Sequence, residues 1–377
     1  KVRETTPEDN IDSDEEEMVV EEPEQDIDDV TRSLVLALGV CYHACLKNRD
    51  EYREAVAGYF RNPLTLSRGA DQIKEEISRC QDVFLANVEL ADNIAKNQAL
   101  KENVFMMIVC IELRIPMFLV GKPGSSKSLS KTIVADAMQG NAAHTDLYKQ
   151  FKEAQMVSYQ CSPLSVAEGI TGTFRQCGAY QKGKNLERFV SVVVLDEIGL
   201  AEDSPKMPLK ALHPLLEDGC PDDEDPEPYK KVAFIGISNW ALDPAKMNRG
   251  ILVQREVPDI VELKESAQGI CSSNQEVLVQ IIPFIEPMAE SYLEVFKEAS
   301  AKMREFFGLR DFYSLLKMLY AFVAKSRDKP TWMQLKHCIL RNFGGLESVD
   351  PVWIFYNKLN NLVSKDEEPR EDDPTCI

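Results

Sequence analysis

One octapeptide, Gly121-Lys122-Pro123-Gly124-Ser125-Ser126-Lys127-Ser128, restricts the possible folds of this chain more than any other stretch. It follows the apolar run Pro116 to Val120 and opens a helix-like stretch, Leu129 to Met138. Strand, glycine-containing loop and helix in that order make a phosphate-binding loop, in which backbone N–H groups and the positive end of a helix dipole face an anion. Lys127 is placed to reach outer phosphates and the Ser128 hydroxyl to bind Mg²⁺. Ser126 stands where a second glycine commonly precedes the lysine, so its φ must be negative or the loop must tolerate strain.

The chain has 377 residues, enough for two or three domains, and a net charge of −19 that is unevenly spread. Residues 1–31 carry 14 acids against 2 bases and residues 365–377 carry 6 against 2, which leaves only −3 for residues 32–364. The folded body is therefore nearly neutral, with acidic tails of the kind that stay solvated and disordered. No basic footprint points to nucleic acid. The 10 cysteines show no disulfide spacing and read as reduced thiols of a cytosolic or nuclear protein. Cys41, His43 and Cys45 invite a zinc reading, but no second ligand pair follows, and core packing is the better expectation. No signal peptide or transmembrane run is expected. The charged ends suggest a segment of something larger.

Periodicity divides the chain into an acidic disordered linker (1–32), a helical lead-in (33–114), an α/β core (115–259), an all-helical lid (260–364) and an acidic tail (365–377). The lead-in helices are expected over Ser33–Leu46, Asp50–Phe60, Ile73–Val88 and Asn93–Leu113. Strands are expected at Met117–Val120, Met156–Tyr159, Phe189–Leu195, Val232–Ile237 and Ile251–Val257, joined into a parallel sheet. Phe189–Leu195 is almost wholly apolar and β-branched, as a strand covered on both faces must be. Gly169 to Gly183 reads as a glycine-containing connection, Pro208–Glu217 as a helix, and 222–228 as an acidic surface loop. The lid helices are expected at Glu262–Ser272, Gln275–Ile282, Met288–Phe307, Phe312–Ala324, Trp332–Phe343 and Val352–Val363.

The chemistry gathers at strand ends. Asp196 and Glu197 close the third strand, 70 residues after Lys127 in the case of Glu197. In a nucleoside triphosphatase the first acid holds the Mg²⁺ water shell and the second polarises the attacking water. The next strand ends in Ser238-Asn239, and an amide there can hydrogen-bond a γ-phosphate or the water; Asn239 is preferred over Ser238. Arg249 precedes the fifth strand, either as a planar donor to a transferring phosphoryl group or as a surface cation near a helix C-terminus. Arg310 opens a lid helix, where folding over a nucleotide and pairing with Asp311 are both open.

In combination these features resemble an AAA+ ATPase module laid out like the dynein and midasin branch. More narrowly, the runs GKPGSSKSLSKTIVADAMQG, SPLSVAEGITGTFRQCGAYQKGKN, LDEIGLAEDSPKMPLKALHPLLEDG and SNWALDPAKMNRGI are similar to a family of giant cytosolic proteins that join a ring of AAA+ modules to a RING-type E3 ubiquitin ligase. The resemblance spans residues 35–364. It implies an AAA+ P-loop module with a parallel five-stranded core, a helical lid and a helical segment ahead of it. It implies ATP and Mg²⁺ as cofactors. The loop from Gly121 through Lys122, Pro123, Gly124, Ser125, Ser126, Lys127 and Ser128 to Leu129 would form the cradle, with Ser128 and Asp196 at the metal and Glu197 at hydrolysis. It further implies Asn239 as sensor, Arg249 as a finger acting on the neighbouring module's site, and Arg310 as lid sensor. Expected partners are the neighbouring AAA+ modules of the same chain and the ubiquitin machinery, with lipid-droplet association of the full protein. The ligase parts lie outside this segment, which lacks ring-finger cysteine spacing. Two other classes stay open: a switch that holds ATP without hydrolysing it, and a scaffold that docks partners through its acidic tails.

Overall fold

The computed structural model describes residues 27–91, 94–217, 219, 227–303 and 307–363. The acidic leader up to residue 26, the tail from 364 and most of the acidic surface loop lie outside the described residues.

Five parallel strands form one sheet: β1 (Met117–Gly121), β2 (Glu153–Gln160), β3 (Phe189–Asp196), β4 (Ala233–Ser238) and β5 (Ile251–Arg255), in the order β2-β3-β4-β1-β5. β1 lies between β4 and β5, and every residue from Met117 to Val120 is buried. Because the strands run parallel, β1, β3 and β4 deliver the phosphate loop, the acid pair and Ser238-Asn239 to the same sheet end. β2 begins three residues before the expected start. As an edge strand it alternates polar and apolar residues (Glu153, Gln155, Ser158, Gln160), which hides it from a search for apolar runs. β5 stops at Arg255, opposite Gly121, and the chain leaves the sheet ahead of Pro258.

Helices α1 (Asp29–Cys41), α2 (Arg49–Ala57), α3 (Gly69–Ala86) and α4 (Gln98–Leu113) form the lead-in. α4 is buried on almost every face, packing against α5 (Lys127–Ala137) and the sheet. The other sheet face is covered by α6 (Ala167–Gln181) and α7 (Leu212–Glu217); α8 (Pro244–Met247) precedes β5. α6 occupies the stretch read from sequence as a glycine connection. One of its glycines serves packing: a Cβ on Gly169 would lie 2.6 Å from the Tyr159 hydroxyl of β2. Close helix–sheet contact favours glycine there despite its poor helix propensity.

The lid comprises α9 (Ile260–Ile270), α10 (Gln275–Met303), α11 (Leu309–Ser326), α12 (Trp332–Phe343) and α13 (Pro351–Leu359), with a hydrophobic core of its own around Phe284, Met288, Tyr292, Phe312 and Phe343. α10 is one helix of 29 residues where two were expected. Pro283 and Pro287 lie within it, each removing one backbone bond. The buried ridge Ile281, Phe284, Ile285 and Met288 carries the helix through both. Among the described residues no helix is long and apolar enough to cross a membrane.

The expected core packing around Cys41 holds only in part. His43 is buried and bonded through Nε2 to Arg53 at 2.8 Å, but Cys41 is exposed and the half-buried Cys45 donates to the Tyr42 carbonyl. Among the described residues no cluster of metal ligands forms.

Arg49 and Arg255 converge on Glu102 of α4, which is only 1% exposed; the Arg49 contact measures 3.0 Å. Burial acts to raise the Glu102 pKa, yet Arg255 and Arg49 together hold it below the usual carboxylate range. Glu102→Gln is expected to destabilise the fold by about 3–5 kcal/mol in urea denaturation, since Arg255 would remain buried without its countercharge.

Candidate functional site

A cavity of about 470 Å³ opens at the carboxyl end of the sheet, between the core and the lid. The phosphate loop forms its floor through Pro123, Gly124, Ser126, Lys127, Ser128 and Leu129. Asp196, Glu197, Ser238 and Asn239 line one wall, and Arg310 reaches it from the first turn of α11. Residues separated by up to 187 positions therefore face one space. The other expected cradle residues do not line it. Gly121 ends β1, Ser125 is 4% exposed with its hydroxyl donating to the Lys122 carbonyl, and Lys122 lines a smaller cavity of about 230 Å³ beneath the lid.

The loop curls back on itself. Lys127 Nζ donates to the carbonyls of Gly121 at 2.5 Å and Lys122 at 2.9 Å. Burial, then the nearby Arg310 charge, pull the Lys127 pKa down to about 8, opposed by Asp196. Ser126 has φ 59° and ψ 14°, so serine occupies the left-handed conformation that glycine usually supplies. Such a residue costs roughly 1–2 kcal/mol, and Glu197 (φ 51°) adds a second on the same cavity. Gly124 has φ +93° and lies so near the lid that a Cβ would sit 2.6 Å from Leu309 Cβ. Glycine at this point lets loop and lid touch.

Asp196 accepts from Lys131 Nζ at 2.6 Å, and Glu197 from Gln160 Nε2 at 2.8 Å. Neither partner was anticipated. Lys131 lies one helical turn beyond Lys127, and Gln160 ends β2 directly opposite Asp196 in the register. The Ser238 hydroxyl donates to the Trp240 carbonyl at 2.6 Å and accepts from the Trp240 N–H at 3.3 Å, which commits it to its own turn. That leaves the Asn239 amide, which lines the same cavity, as the side chain of the pair able to turn toward a ligand.

Ile94, Ala95, Ile270 and Tyr313 also line the cavity and give it apolar surface suited to a flat ring. Sequence reasoning missed these four, which come from the lead-in, α9 and α11. Arg249 lies outside the cavity. Its Nε donates to Glu217 Oε1 at 2.8 Å and its Nη1 to the Ala245 carbonyl.

A family model described as the RNF213 AAA domain matches residues 93–262. Residues 93–262 belong to the RNF213 AAA domain family. The chain is 58% identical over 332 residues to the E3 ubiquitin-protein ligase RNF213 (mysterin) of Homo sapiens, covering 88% of this chain and 6% of that protein. It is 54% identical over 334 residues to E3 ubiquitin-protein ligase rnf213-beta of Danio rerio, again over 88% of this chain and 6% of the relative. The chain thus spans about 6% of the length of the curated relatives it matches. Among solved structures, the Aeropyrum pernix ORC2 protein aligns with a TM-score of 0.43 at 13% identity, over 66% of this chain and 70% of that chain. The α/β AAA+ architecture expected from the sequence is the one observed, and the match over residues 93–262 spans the five-stranded core together with α4 and the start of the lid.

Proposed function

We propose that this module binds ATP and hydrolyses it with Mg²⁺, within a larger mechanoenzyme related to RNF213. One observation carries the reading: Lys127, Ser128, Asp196, Glu197 and Asn239, from two strand ends and one helix start, face a single cavity of about 470 Å³. That volume suits a nucleotide-sized ligand.

In this reading the base lies between Ile94 and Tyr313, and the phosphates lie along the loop under its N–H groups. Lys127 exchanges its two loop carbonyls for phosphate oxygens. Ser128 and Asp196 supply hard oxygen donors suited to Mg²⁺, which when bound neutralises charge on the outer phosphates. Glu197 orients the attacking water and takes its proton, after release from Gln160. Asn239 holds that water or the γ-phosphate, and Arg310 carries the nucleotide state into the lid.

Arg249 acts on the neighbouring module's site in the assembled protein, consistent with its place outside its own cavity. Arg249→Ala is expected to leave the ATP affinity of this chain within about twofold in calorimetric titration. In the assembled protein the same change should slow turnover by roughly 10³-fold or more, as for other arginine fingers.

A second reading has its own observation. Glu197 is engaged by Gln160 and Arg249 by Glu217, so the chain as folded fits a switch that holds ATP without turnover. Phosphate release by the intact protein decides between them: turnover supports hydrolysis, and an ATP-dependent thermal shift without release supports the switch. By relation to RNF213, the intact protein would transfer ubiquitin through parts outside this chain, work in the cytosol and on lipid droplets, and hold its AAA+ modules in a ring.

A further inference from the structure

The phosphate loop is held from behind by one amide. Asn103, in the second turn of α4, is fully buried. Its Nδ2 donates to the Ser125 carbonyl at 3.0 Å, and its Oδ1 accepts from Arg255 Nε at 2.8 Å. A carbonyl can only accept and a guanidinium can only donate, so the two neighbours fix which way this amide points. Arg255 is fixed in turn: it ends β5 opposite Gly121 and pairs with the buried Glu102.

The consequence follows from peptide geometry. In a planar trans peptide the C=O and the next N–H point in opposite directions. Pinning the Ser125 carbonyl to α4 therefore sends the Ser126 N–H away from α4, toward the cavity that Ser126 lines. With Gly124 and Ser126 both at positive φ, the loop has the local form of an anion-binding nest. We propose that Asn103 is a positioning residue for the phosphate loop, aiming the Ser126 N–H at bound phosphate from the side opposite the ligand. The role rests on the nucleotide reading above.

Asn103→Asp is the discriminating variant, because the carboxylate keeps a partner for Arg255 but cannot donate to Ser125. Titration calorimetry with ATP, ADP and adenosine should show about tenfold weaker binding of both phosphorylated ligands, equivalent to about 1.4 kcal/mol. Adenosine, which carries no phosphate, should bind within about twofold of the parent. Parent-like ATP affinity, or equal losses for ATP and adenosine, would overturn the role. A measurement on the unaltered chain guards against a variant that fails to fold: exchange of the Ser126 amide hydrogen should slow on adding ADP. Unchanged exchange in a chain that binds ADP rules the positioning out. A parent chain that binds neither ATP nor ADP instead overturns the nucleotide reading itself.

Discussion

Replacing Lys127 by alanine is expected to weaken ATP binding about a hundredfold or more. Two hydrogen bonds from an ammonium to phosphate oxygens, each worth about 1.5–3 kcal/mol, account for a loss of that size. Thermal stability should change far less, because in the free protein this side chain satisfies only its own loop. The same group gives a pH signature. Burial and Arg310 place the Lys127 pKa at about 8, below the ordinary 10.5. The affinity of the parent chain for ATP should therefore fall between pH 7 and pH 9 as the ammonium deprotonates. Folding stability should move the opposite way. Between about 8 and 10.5 the unfolded chain holds a proton that the folded chain has released, so stability rises with pH in that window. Both slopes should be absent from Lys127→Ala. Titrations and melts across that pH range read them directly.

Glu197→Gln is expected to bind ATP as the parent does and to hydrolyse it about 10²–10⁴-fold more slowly in the intact protein. The amide retains the size of the side chain but cannot accept the proton of the attacking water. The contact with Gln160 survives in altered form, since an amide oxygen can still accept from Nε2. Loss of binding along with turnover would instead assign Glu197 to holding the loop. Unchanged turnover would remove it from the chemistry. Phosphate release and equilibrium binding on the same preparation separate these outcomes.

The sheet was largely readable because burial on both faces leaves little except apolar, β-branched residues, as in Phe189 to Leu195. Where tertiary contact outweighs local preference the reading failed. The glycines of α6 look like breakers until Tyr159 packs on one of them, and Pro283 and Pro287 look like an ending until their neighbours are seen buried against the lid core. The site divides along the same line. Lys127, Ser128, Asp196 and Glu197 belong to short contiguous signatures and could be named directly. Gln160, Lys131, Tyr313 and Asn103 carry no signature, because each matters only through a partner that the fold brings near. Ser126 was legible as an anomaly, and it takes up the left-handed backbone that glycine ordinarily supplies.

The most direct test of the nucleotide cavity is an experimental structure of this chain with a non-hydrolysable ATP analogue and Mg²⁺. The account predicts phosphates along Gly124 to Ser128, Lys127 Nζ moved from its loop carbonyls onto phosphate oxygen, and the base against Tyr313. Nucleotide bound elsewhere, or Lys127 still closed on Gly121 and Lys122 with the ligand present, would contradict it.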